Sequence, residues 1–411
     1  MLTRHPSQSL RYIWQHKAWP QLAFDAAALA PALDQARLEQ GRLLGLLGAI
    51  GLERANEVQR ELWVQEALAT AAIEGEQLNL ESVRSSVAHR LCLADAPSHD
   101  RSVEGLVQVM QDALANHSTA LDLDRLCRWQ SALFPGGTSG IARIAVGRVR
   151  DHADAMQIVS GARGREVVHH EAPTSVQVAA HMAVFLAWFE ITRPTDGASA
   201  LNGIARAALV HLWFESIHPF EDGNGRLGRA LADMALAQDM HARDPQANPA
   251  LVRVYGMARQ MLQTRGAYYD ELNHAQGLRN IEPHAAAIDV TPWVQWFVQA
   301  FTRACVASQA VVHHATEKAR FQLRAAQRNI NPRQTKVLER LLEAGHLQVG
   351  GGFLGDMTNE KYAKMTGASK ATATRDLADL LVKDLLRVEG VGKATRYAVN
   401  VPDWEQPVLK P

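Results

Sequence analysis

Apolar side chains recur three or four positions apart along most of this chain, which is the spacing of one face of an α-helix. The pattern covers residues 38–80 and returns over residues 103–115, 121–133, 176–191, 203–217, 226–240 and 291–308. Loops rich in glycine and proline, such as residues 135–140, interrupt it. The pattern predicts a mostly α-helical protein.

Residues 156–169 do not follow the helical spacing. MQIV and REVVH are short runs of β-favouring residues on either side of Ser160-Gly161-Ala162-Arg163-Gly164. Two such runs around a glycine-containing turn predict a β-hairpin.

The C-terminal part of the chain differs in charge. Residues 321–400 contain 13 Lys and Arg against 8 Asp and Glu, an excess of five positive charges, whereas the whole chain has 43 of each kind. Thr358 and Ser369 are suitable N-caps for two successive helices, the first ending near residue 365 and the second near residue 382.

Two short strands, at residues 386–388 and 396–399, are predicted on either side of Gly390-Val391-Gly392. Together with the two helices they predict a winged helix-turn-helix domain. The second helix would project four polar side chains as a reader of the DNA major groove does: Lys370, Thr372, Thr374 and Arg375. Winged helices also mediate protein contacts, so DNA binding and a protein-contact role both stay open.

Composition excludes several classes of protein. The balanced charge gives the whole molecule no general attraction to nucleic acid or to a membrane surface. The three cysteines have no metal-binding or redox spacing, and they are typical of buried thiols in a reducing compartment. The N-terminal residues lack a signal-peptide pattern, and no apolar run is long enough to cross a membrane. We therefore expect a soluble, cytoplasmic protein without a membrane partner.

The segment from His218 to Arg229 carries the candidate chemistry. Gly223 and Gly225 are expected to permit backbone conformations that turn successive N–H groups towards an anion. The helix that follows would present its N-terminus to the same anion, and Arg226 would emerge on the same helix face as Arg229. Two guanidiniums placed in this way can hold a polyphosphate.

Two further side chains of this segment suit phosphoryl chemistry. Asp222 is a sensible Mg²⁺ ligand, because that ion prefers one or two carboxylates together with phosphate oxygens. His218 stands at the edge of the predicted anion site, where a neutral imidazole could take a proton from an attacking hydroxyl. Any one of these residues alone is more typical of an ordinary helix–loop–helix, but the complete order of residues favours a phosphate site.

This segment resembles the signature of the Fic/Doc family, H-x-F-x-[D/E]-G-N-G-R-x-x-R, at every position. The resemblance implies a Fic helical core with ATP and Mg²⁺, in which His218 is the general base and Asp222 holds the metal ion. It implies a nucleotide site made by Gly223, Asn224, Gly225, Arg226, Gly228 and Arg229, with Phe220 in the core beneath. It also implies that AMP is transferred by attack at the α-phosphate and that pyrophosphate is released.

Three other segments are similar to parts of that family. The hairpin at residues 156–169 resembles the flap that aligns the target's backbone, with Gln157, Ile158, Val159 and Ser160 near the nucleotide; an ordinary hairpin is the alternative. Tyr268, Tyr269 and Gln276 resemble the residues that flank the adenine, although adjacent tyrosines on a helix are equally typical of a core. Thr70-Ala71-Ala72-Ile73-Glu74-Gly75 resembles the inhibitory motif, and implies that Glu74 pairs with Arg229 and hinders the γ-phosphate.

With this resemblance the chain is predicted to have five parts. They are an N-terminal helical region with the inhibitory motif (1–98), a Fic catalytic core (99–300), a linker helix (301–330), a winged helix (331–400) and a tail (401–411). The expected activity is transfer of AMP from ATP to a Ser, Thr or Tyr hydroxyl of a protein docked on the hairpin, restrained by Glu74. Removal of AMP, transfer of another phosphate-containing group, and nucleotide sensing by a DNA-binding regulator are the alternatives, and a homodimer is left open.

Overall fold

The computed structural model describes residues 11–91, 100–160, 165, 167–195, 201–278, 281–282, 284–344, 357–390 and 395–401. The chain divides into two compact units, Met1–Gln309 and Ala310–Pro411. Helices make up most of the described residues, so the predicted mostly α-helical fold class is confirmed. None of the helices described in these ranges is long and apolar enough to span a membrane.

The first unit consists of helices joined by short loops. Its helices are α1 (Ala26–Ala49), α2 (Leu52–Ile73), α3 (Leu80–Arg90), α4 (Arg101–Ala115), α5 (Leu123–Leu133), α6 (Ser175–Ile191), α7 (Gly203–Ile217), α8 (Asn224–Arg243), α9 (Met257–Gln263) and α10 (Arg265–Gln276). Helix α11 (Thr291–Ala326) begins in this unit and continues well beyond the predicted end at residue 308. Several helices begin where the sequence supplies a side-chain cap for the first free N–H groups. These N-caps are Asp25, Asn79, Asp100, Asp122 and Asn202.

Helices α7 and α8 form the centre of the first unit. Every residue of α7 is buried, and so are nearly all residues of α8 up to Met240. The start of α7 lies close against α8, since a Cβ added at Gly203 would come within 2.1 Å of the Asp239 side chain. Burial of both helices fixes the two ends of the loop that joins them, residues 218–223.

Small two-stranded sheets accompany the helices. Strand β1 (Leu22–Ala23) pairs in parallel with β6 (Ile288–Asp289), and β2 (Thr138–Ser139) pairs antiparallel with β3 (Ala142–Arg143). Strand β4 (Gln157–Ser160) pairs antiparallel with β5 (Val167–Glu171), which confirms the predicted hairpin. The turn residues from Gly161 to Gly164 lie outside the described residues.

The second unit contains α12 (Pro332–Ala344), α13 (Asn359–Thr366) and α14 (Lys370–Val382), followed by the antiparallel strands β7 (Leu386–Glu389) and β8 (Arg396–Val399). Thr358 and Ser369 cap α13 and α14 through their side-chain oxygens, as predicted. The apolar faces of these elements enclose a core that includes Tyr362 and Leu377. Val391 and Gly392, part of the predicted wing, lie outside the described residues.

Candidate active site

Helix α7 ends at a strained residue. His218 caps the helix in the left-handed backbone region, with φ 49° and ψ 63°, and its N–H donates to the Phe214 carbonyl at 2.9 Å. Residues with a Cβ rarely adopt this conformation, because the side chain approaches the backbone too closely. Such strain persists only where the surroundings hold the residue in place.

Arg150 provides that support. Its side chain is 1% exposed; Nε donates to the His218 carbonyl at 2.8 Å, and Nη2 donates to the carbonyls of Ile217 and Pro173. Its own N–H donates to the Pro219 carbonyl at 3.0 Å. Burial lowers the pKa of Arg150 to about 10, which still leaves the guanidinium charged near neutral pH.

Two hydrogen bonds between Phe220 and Asn224 close the loop after His218. Phe220 is fully buried; its N–H donates to Asn224 Oδ1 at 3.0 Å, and Asn224 Nδ2 donates back to the Phe220 carbonyl at 2.8 Å. Gly223 has φ 90°, so the turn into α8 requires a residue without a Cβ. The side-chain amide of Asn224 therefore shapes the loop, and only its backbone N–H is left to contribute to an anion site.

Gly225 corrects one part of the sequence analysis. We expected an unusual backbone conformation there, but Gly225 is an ordinary helical residue of α8 and only Gly223 has positive φ. The requirement at Gly225 is space, because an added Cβ would lie 2.2 Å from Glu74 Oε1. Glycine at this position lets a carboxylate approach the N-terminus of α8 closely.

Asp222 is the loop carboxylate that is half-exposed, with 38% of its side chain accessible. Its Oδ2 accepts a hydrogen bond from the Ser139 hydroxyl on the β2–β3 hairpin, and its Oδ1 lies 3.6 Å from Arg226 Nη2. Glu221 is turned towards the protein, where it accepts from the Ala145 N–H at 2.9 Å. No cluster of three metal-binding side chains occurs among the described residues. A half-exposed carboxylate at this position fits Mg²⁺ that is held jointly with phosphate oxygens.

Arg229 is buried against the end of α2. Its Nε donates to Thr70 Oγ1 at 2.7 Å, and its Nη2 donates to the Thr70 carbonyl at 2.9 Å and to Glu74 Oε1 at 2.7 Å. Burial by itself would lower the pKa of Arg229, but the Glu74 carboxylate more than offsets this and raises it. Arg229 is therefore a permanent cation that Glu74 neutralises.

Arg226 is paired in the same way. Its Nη1 lies 2.9 Å from both carboxylate oxygens of Glu76, and its guanidinium lies 4.9 Å from the centre of the Phe134 ring. Gly75 has φ 84° and ends α2, and the Glu76 N–H returns to the Ala71 carbonyl at 3.0 Å. This helix ending places two carboxylates, one on each side of the glycine, against two arginines of α8.

Comparison with known proteins agrees with this geometry. Residues 120–236 match the family described as "Fic/DOC family", and residues 12–93 match a "Domain of unknown function (DUF4172)". The first match contains the whole loop and both arginines. Residues 120–236 are therefore similar to the Fic/DOC family.

Two relatives of this chain are named "Protein adenylyltransferase Fic". The one from Nematostella vectensis is 25% identical over 67% of this chain and 56% of its own length. The one from Culex quinquefasciatus is 25% identical over 61% of this chain and 45% of its own length. The chain thus spans about half the length of the curated relatives it matches.

Solved structures of Fic proteins are similar as well. A Fic family protein from Desulfovibrio desulfuricans is 20% identical, with a TM-score of 0.49, over 90% of this chain and 96% of its own. The structure titled "Fic-1 (aa134 - 508) from C. elegans" is 18% identical, with a TM-score of 0.39, over 70% of this chain and 76% of its own.

The remaining residues predicted for the Fic nucleotide site are only partly accessible. Tyr268 is buried, and its hydroxyl lies 2.9 Å from His211 Nε2, whereas Tyr269 is less buried and donates to the Ile73 carbonyl at 3.1 Å. Gln276 is also buried and lies 3.5 Å from the Ser216 hydroxyl. Of these three side chains, Tyr269 lies nearest the accessible face at the end of α2.

Gly228 and the β4–β5 hairpin each contact α7, but at different places. An added Cβ at Gly228 would lie 2.6 Å from Glu215 Oε1, so this glycine faces α7 rather than the loop. In the hairpin, Gln157 Nε2 donates to Glu171 Oε2 at 2.9 Å, and Val159 is 47% exposed. His170 on β5 donates from Nε2 to the Ser216 carbonyl, and this bond holds the hairpin against the end of α7.

Sequence reasoning missed several side chains that shape the Fic site. They are Ser139, Arg150, Glu215 and Glu76. Glu76 directly follows the inhibitory motif, and an acidic residue two positions after Glu74 could have indicated the second ion pair. The other three lie outside any recognisable pattern.

We predict that Arg150→Ala lowers the free energy of unfolding by about 2–4 kcal/mol, because buried carbonyls lose their donor and a cavity remains. Chemical denaturation measures this. Arg148→Ala is the control, since Arg148 is 57% exposed and pairs with Asp151 on the surface; it should change stability by less than about 0.5 kcal/mol. Equal losses in the two variants would contradict a structural role specific to Arg150.

Proposed function

We propose that this protein transfers AMP from ATP to a Ser, Thr or Tyr hydroxyl of a target protein. The observation that carries the proposal is the Fic loop itself, which places His218 beside the N-terminus of a buried helix with two buried arginines on one face. The names of the two relatives support the same chemistry. The identity of the target is not part of the proposal.

The proposed reaction needs one proton acceptor and a site for a highly charged donor. The target oxygen forms a bond to the α-phosphorus of ATP while the bond from that phosphorus to the bridging oxygen breaks, and pyrophosphate leaves. His218 takes the hydroxyl proton. The free N–H groups at the start of α8, with Arg226 and Arg229, hold the phosphates.

Asp222 would hold the Mg²⁺ that accompanies ATP, since its carboxylate is half-exposed whereas that of Glu221 is bonded to the Ala145 N–H. When bound, that ion neutralises phosphate charge and favours release of the leaving group. Ser139 and the Gly223 N–H fix the two carboxylate oxygens and so orient Asp222 towards the phosphate side. Of the two tyrosines, we assign Tyr269 to the adenine ring of ATP, because Tyr268 is fully buried.

The β4–β5 hairpin would dock the target protein. Val159, Val167 and Val168 are all at least 41% exposed on it, and an exposed strand edge can pair with an extended segment of another chain. This position would bring a target hydroxyl towards His218, because β5 is bonded to the end of α7.

Two enzymatic alternatives use the same site: removal of AMP from a protein, and transfer of a different phosphate-containing group. A third alternative is a nucleotide sensor without catalysis. Incubation with α-labelled ATP and Mg²⁺ separates them, because only AMP transfer labels protein from the α-phosphate. Labelling from γ-labelled ATP instead, or no labelling of any protein even by the Glu74→Gly variant, would contradict the proposal.

We predict that His218→Ala abolishes AMP transfer but leaves ATP affinity within about threefold, because general-base catalysis contributes roughly 10²–10⁴-fold and does not act on the nucleotide. Transfer is measured with α-labelled ATP, and affinity by calorimetry. His241→Ala, at the far end of α8, is the control and should keep transfer activity. Undiminished labelling by His218→Ala would remove its assignment as the base.

We predict that Asp222→Ala and chelation of Mg²⁺ by EDTA each reduce transfer and weaken ATP binding together, because carboxylate, metal and phosphates form one site. Asp124→Ala removes an exposed aspartate of α5 and should have neither effect. Full activity in excess EDTA would refute the metal assignment.

Autoinhibition belongs to the same proposal. In the structure Glu74 and Glu76 occupy the two guanidiniums that we assign to the outer phosphates of ATP. The carboxylates and the phosphates compete for the same donors, so the nucleotide cannot settle until the end of α2 moves. Glu74 is the stronger of the two inhibitors, since Arg229 is bonded to α2 by three hydrogen bonds and Glu76 is 41% exposed.

We predict that Glu74→Gly raises transfer about 10- to 150-fold, because a charge-assisted pair of roughly 1.5–3 kcal/mol is lost. Glu76→Gln should raise it less, by up to about fivefold, as expected for a half-exposed pair. Transfer by each variant is compared with wild type in the labelling assay.

Three variants test this interpretation further. Arg229→Ala should not mimic the activation, because the γ-phosphate loses its partner too, and Glu74→Gly combined with Arg229→Ala should behave like Arg229→Ala. Glu81→Gln, which breaks the surface pair with Arg84, is the control and should leave transfer unchanged. Equal activities of wild type and Glu74→Gly, both folded and both binding ATP, would refute autoinhibition.

A second candidate function, DNA binding, concerns the second unit alone. Ser369 caps α14 so that Lys370, Thr374 and Arg375 are exposed along its N-terminal half, as in a recognition helix. We propose that this helix contacts the major groove. Thr372 contributes less, since it is bonded to the Ser369 cap.

We predict that the full chain binds duplex DNA with an affinity that falls as salt rises, and that Lys370→Ala with Arg375→Ala weakens this binding. Fluorescence anisotropy at several salt concentrations measures it. Lys361→Ala with Arg387→Ala removes the same charge from other elements of the unit and should weaken binding less. Salt-insensitive or absent binding would favour a protein-contact role.

A further inference from the structure

We propose that Glu215 is a positioning residue for the histidine of the Fic motif. It would accept a hydrogen bond from Nδ1 of His218 and thereby leave Nε2 free to take the proton of the target hydroxyl. This inference rests on the proposed function of His218 as the base.

The geometry of the last turn of α7 carries the inference. Glu215 precedes His218 by three residues, so the two side chains lie on the same side of the helix end. Glu215 Oε2 is 3.6 Å from His218 Nδ1, and both side chains are at least 85% buried. Nδ1 of His218 and Oε1 of Glu215 are buried without a hydrogen-bond partner in the described structure. The proposed bond would shorten the 3.6 Å contact between Nδ1 and Oε2 to the usual hydrogen-bond range.

The space around Glu215 is shaped for a carboxylate. An added Cβ at Gly228 would come within 2.6 Å of Glu215 Oε1, so the neighbouring helix α8 approaches here without a side chain. Gly228 therefore leaves room for Glu215, which would position the general base His218, and it has no proposed role in holding the phosphates. Its place in the Fic motif, two residues after Arg226, aligns α8 with the last turn of α7.

Glu215 faces the rings of His218 and His211 and the guanidinium of Arg229. Tyr268 on α10 is hydrogen-bonded to Nε2 of His211, and Arg229 on α8 is bonded to Thr70 and Glu74. Burial alone would raise the pKa of Glu215, but the adjacent rings of His218 and His211 and the charge of Arg229 lower it below its usual range. Glu215 is thus ionised near neutral pH, and a protonated His218 would neutralise it.

The remaining neighbour, His170 on β5, is held apart from this pair. Burial lowers the pKa of His170 to about 4, so its ring is neutral near neutral pH. Because a carbonyl can only accept, the bond to Ser216 keeps the proton on Nε2 of His170. His170 therefore does not supply the charge that Glu215 lacks.

The consequence is a choice between two tautomers. The partner of one ring nitrogen decides which nitrogen of a neutral imidazole carries the proton. With Glu215 as acceptor the proton resides on Nδ1, and the lone pair of Nε2 faces the loop. When Nε2 takes the hydroxyl proton, the carboxylate stabilises the imidazolium that results.

The first experiment reads the tautomer directly in the full chain. With ¹⁵N-labelled histidine, NMR shifts of the ring nitrogens distinguish Nδ1–H from Nε2–H, and the signal that disappears in His218→Ala assigns His218. We expect Nδ1–H in the wild type and Nε2–H in Glu215→Ala. An Nε2–H tautomer in the wild type overturns the proposal, and this readout does not depend on AMP transfer.

The second experiment separates positioning from folding and from nucleotide binding. In the Glu74→Gly background, Glu215→Ala should lower kcat about 10- to 100-fold, a part of the effect of a general base, with little change in the KM for ATP. Glu215→Gln keeps an acceptor oxygen and should retain more activity than Glu215→Ala. Glu57→Gln, an exposed glutamate of α2, is the control.

The two experiments together distinguish a positioning role of Glu215 from a structural one. A merely structural role would lower the melting temperature and raise the KM for ATP without changing the tautomer, and that result would overturn the proposal. An unchanged kcat in Glu215→Ala would overturn it as well. If no variant transfers AMP but the tautomer changes as expected, the proposed function fails while the positioning of His218 by Glu215 stands.

Discussion

The left-handed backbone of His218 is the constraint on which the site depends. A residue with a Cβ pays a conformational penalty there, and the fold offsets it with a buried guanidinium bonded to successive carbonyls at the end of α7. The same carbonyls would otherwise be unsatisfied in the core, because the helix has ended. Arg150 thus has two roles. It satisfies the last carbonyls of a helix that lies entirely in the core, and it stabilises the left-handed residue with which the loop starts.

Three residues set the conformation of the rest of the loop. The Asn224 amide clasps Phe220 on both sides, Phe220 fills the core, and Gly223 supplies the second left-handed residue before α8 begins. Hydrogen bonds from Arg150, Asn224 and Ser139 hold the loop in this conformation. Such support suits a phosphate site, since donors fixed before binding do not lose entropy when the anion arrives.

The end of α2 packs against the same site. Two carboxylates and a helix-ending glycine lie against two arginines of α8, and Glu74 enters the space left by Gly225. Burying one charge without its partner would be costly, so the arginines and the α2 ending stabilise each other. A phosphate group that replaced the carboxylates would meet the same requirement. In the proposed function, the same set of contacts would therefore govern both stability and nucleotide access.

Local sequence determined much of this protein. Helical spacing, capping residues and the two β-favouring runs predicted the helices of both units and the β4–β5 hairpin, because these features depend on neighbours within a few residues. The order of residues from His218 to Arg229 indicated the chemistry for the same reason. What the tertiary structure alone decided is which distant groups complete the site. Arg150, Ser139 and Glu215 carry no local signal, and Gly225 is needed for the space that Glu74 occupies, not for the unusual backbone conformation that its sequence predicts. Contacts between residues far apart in the chain follow from the packing of whole helices, and a local pattern contains no information about which faces will meet.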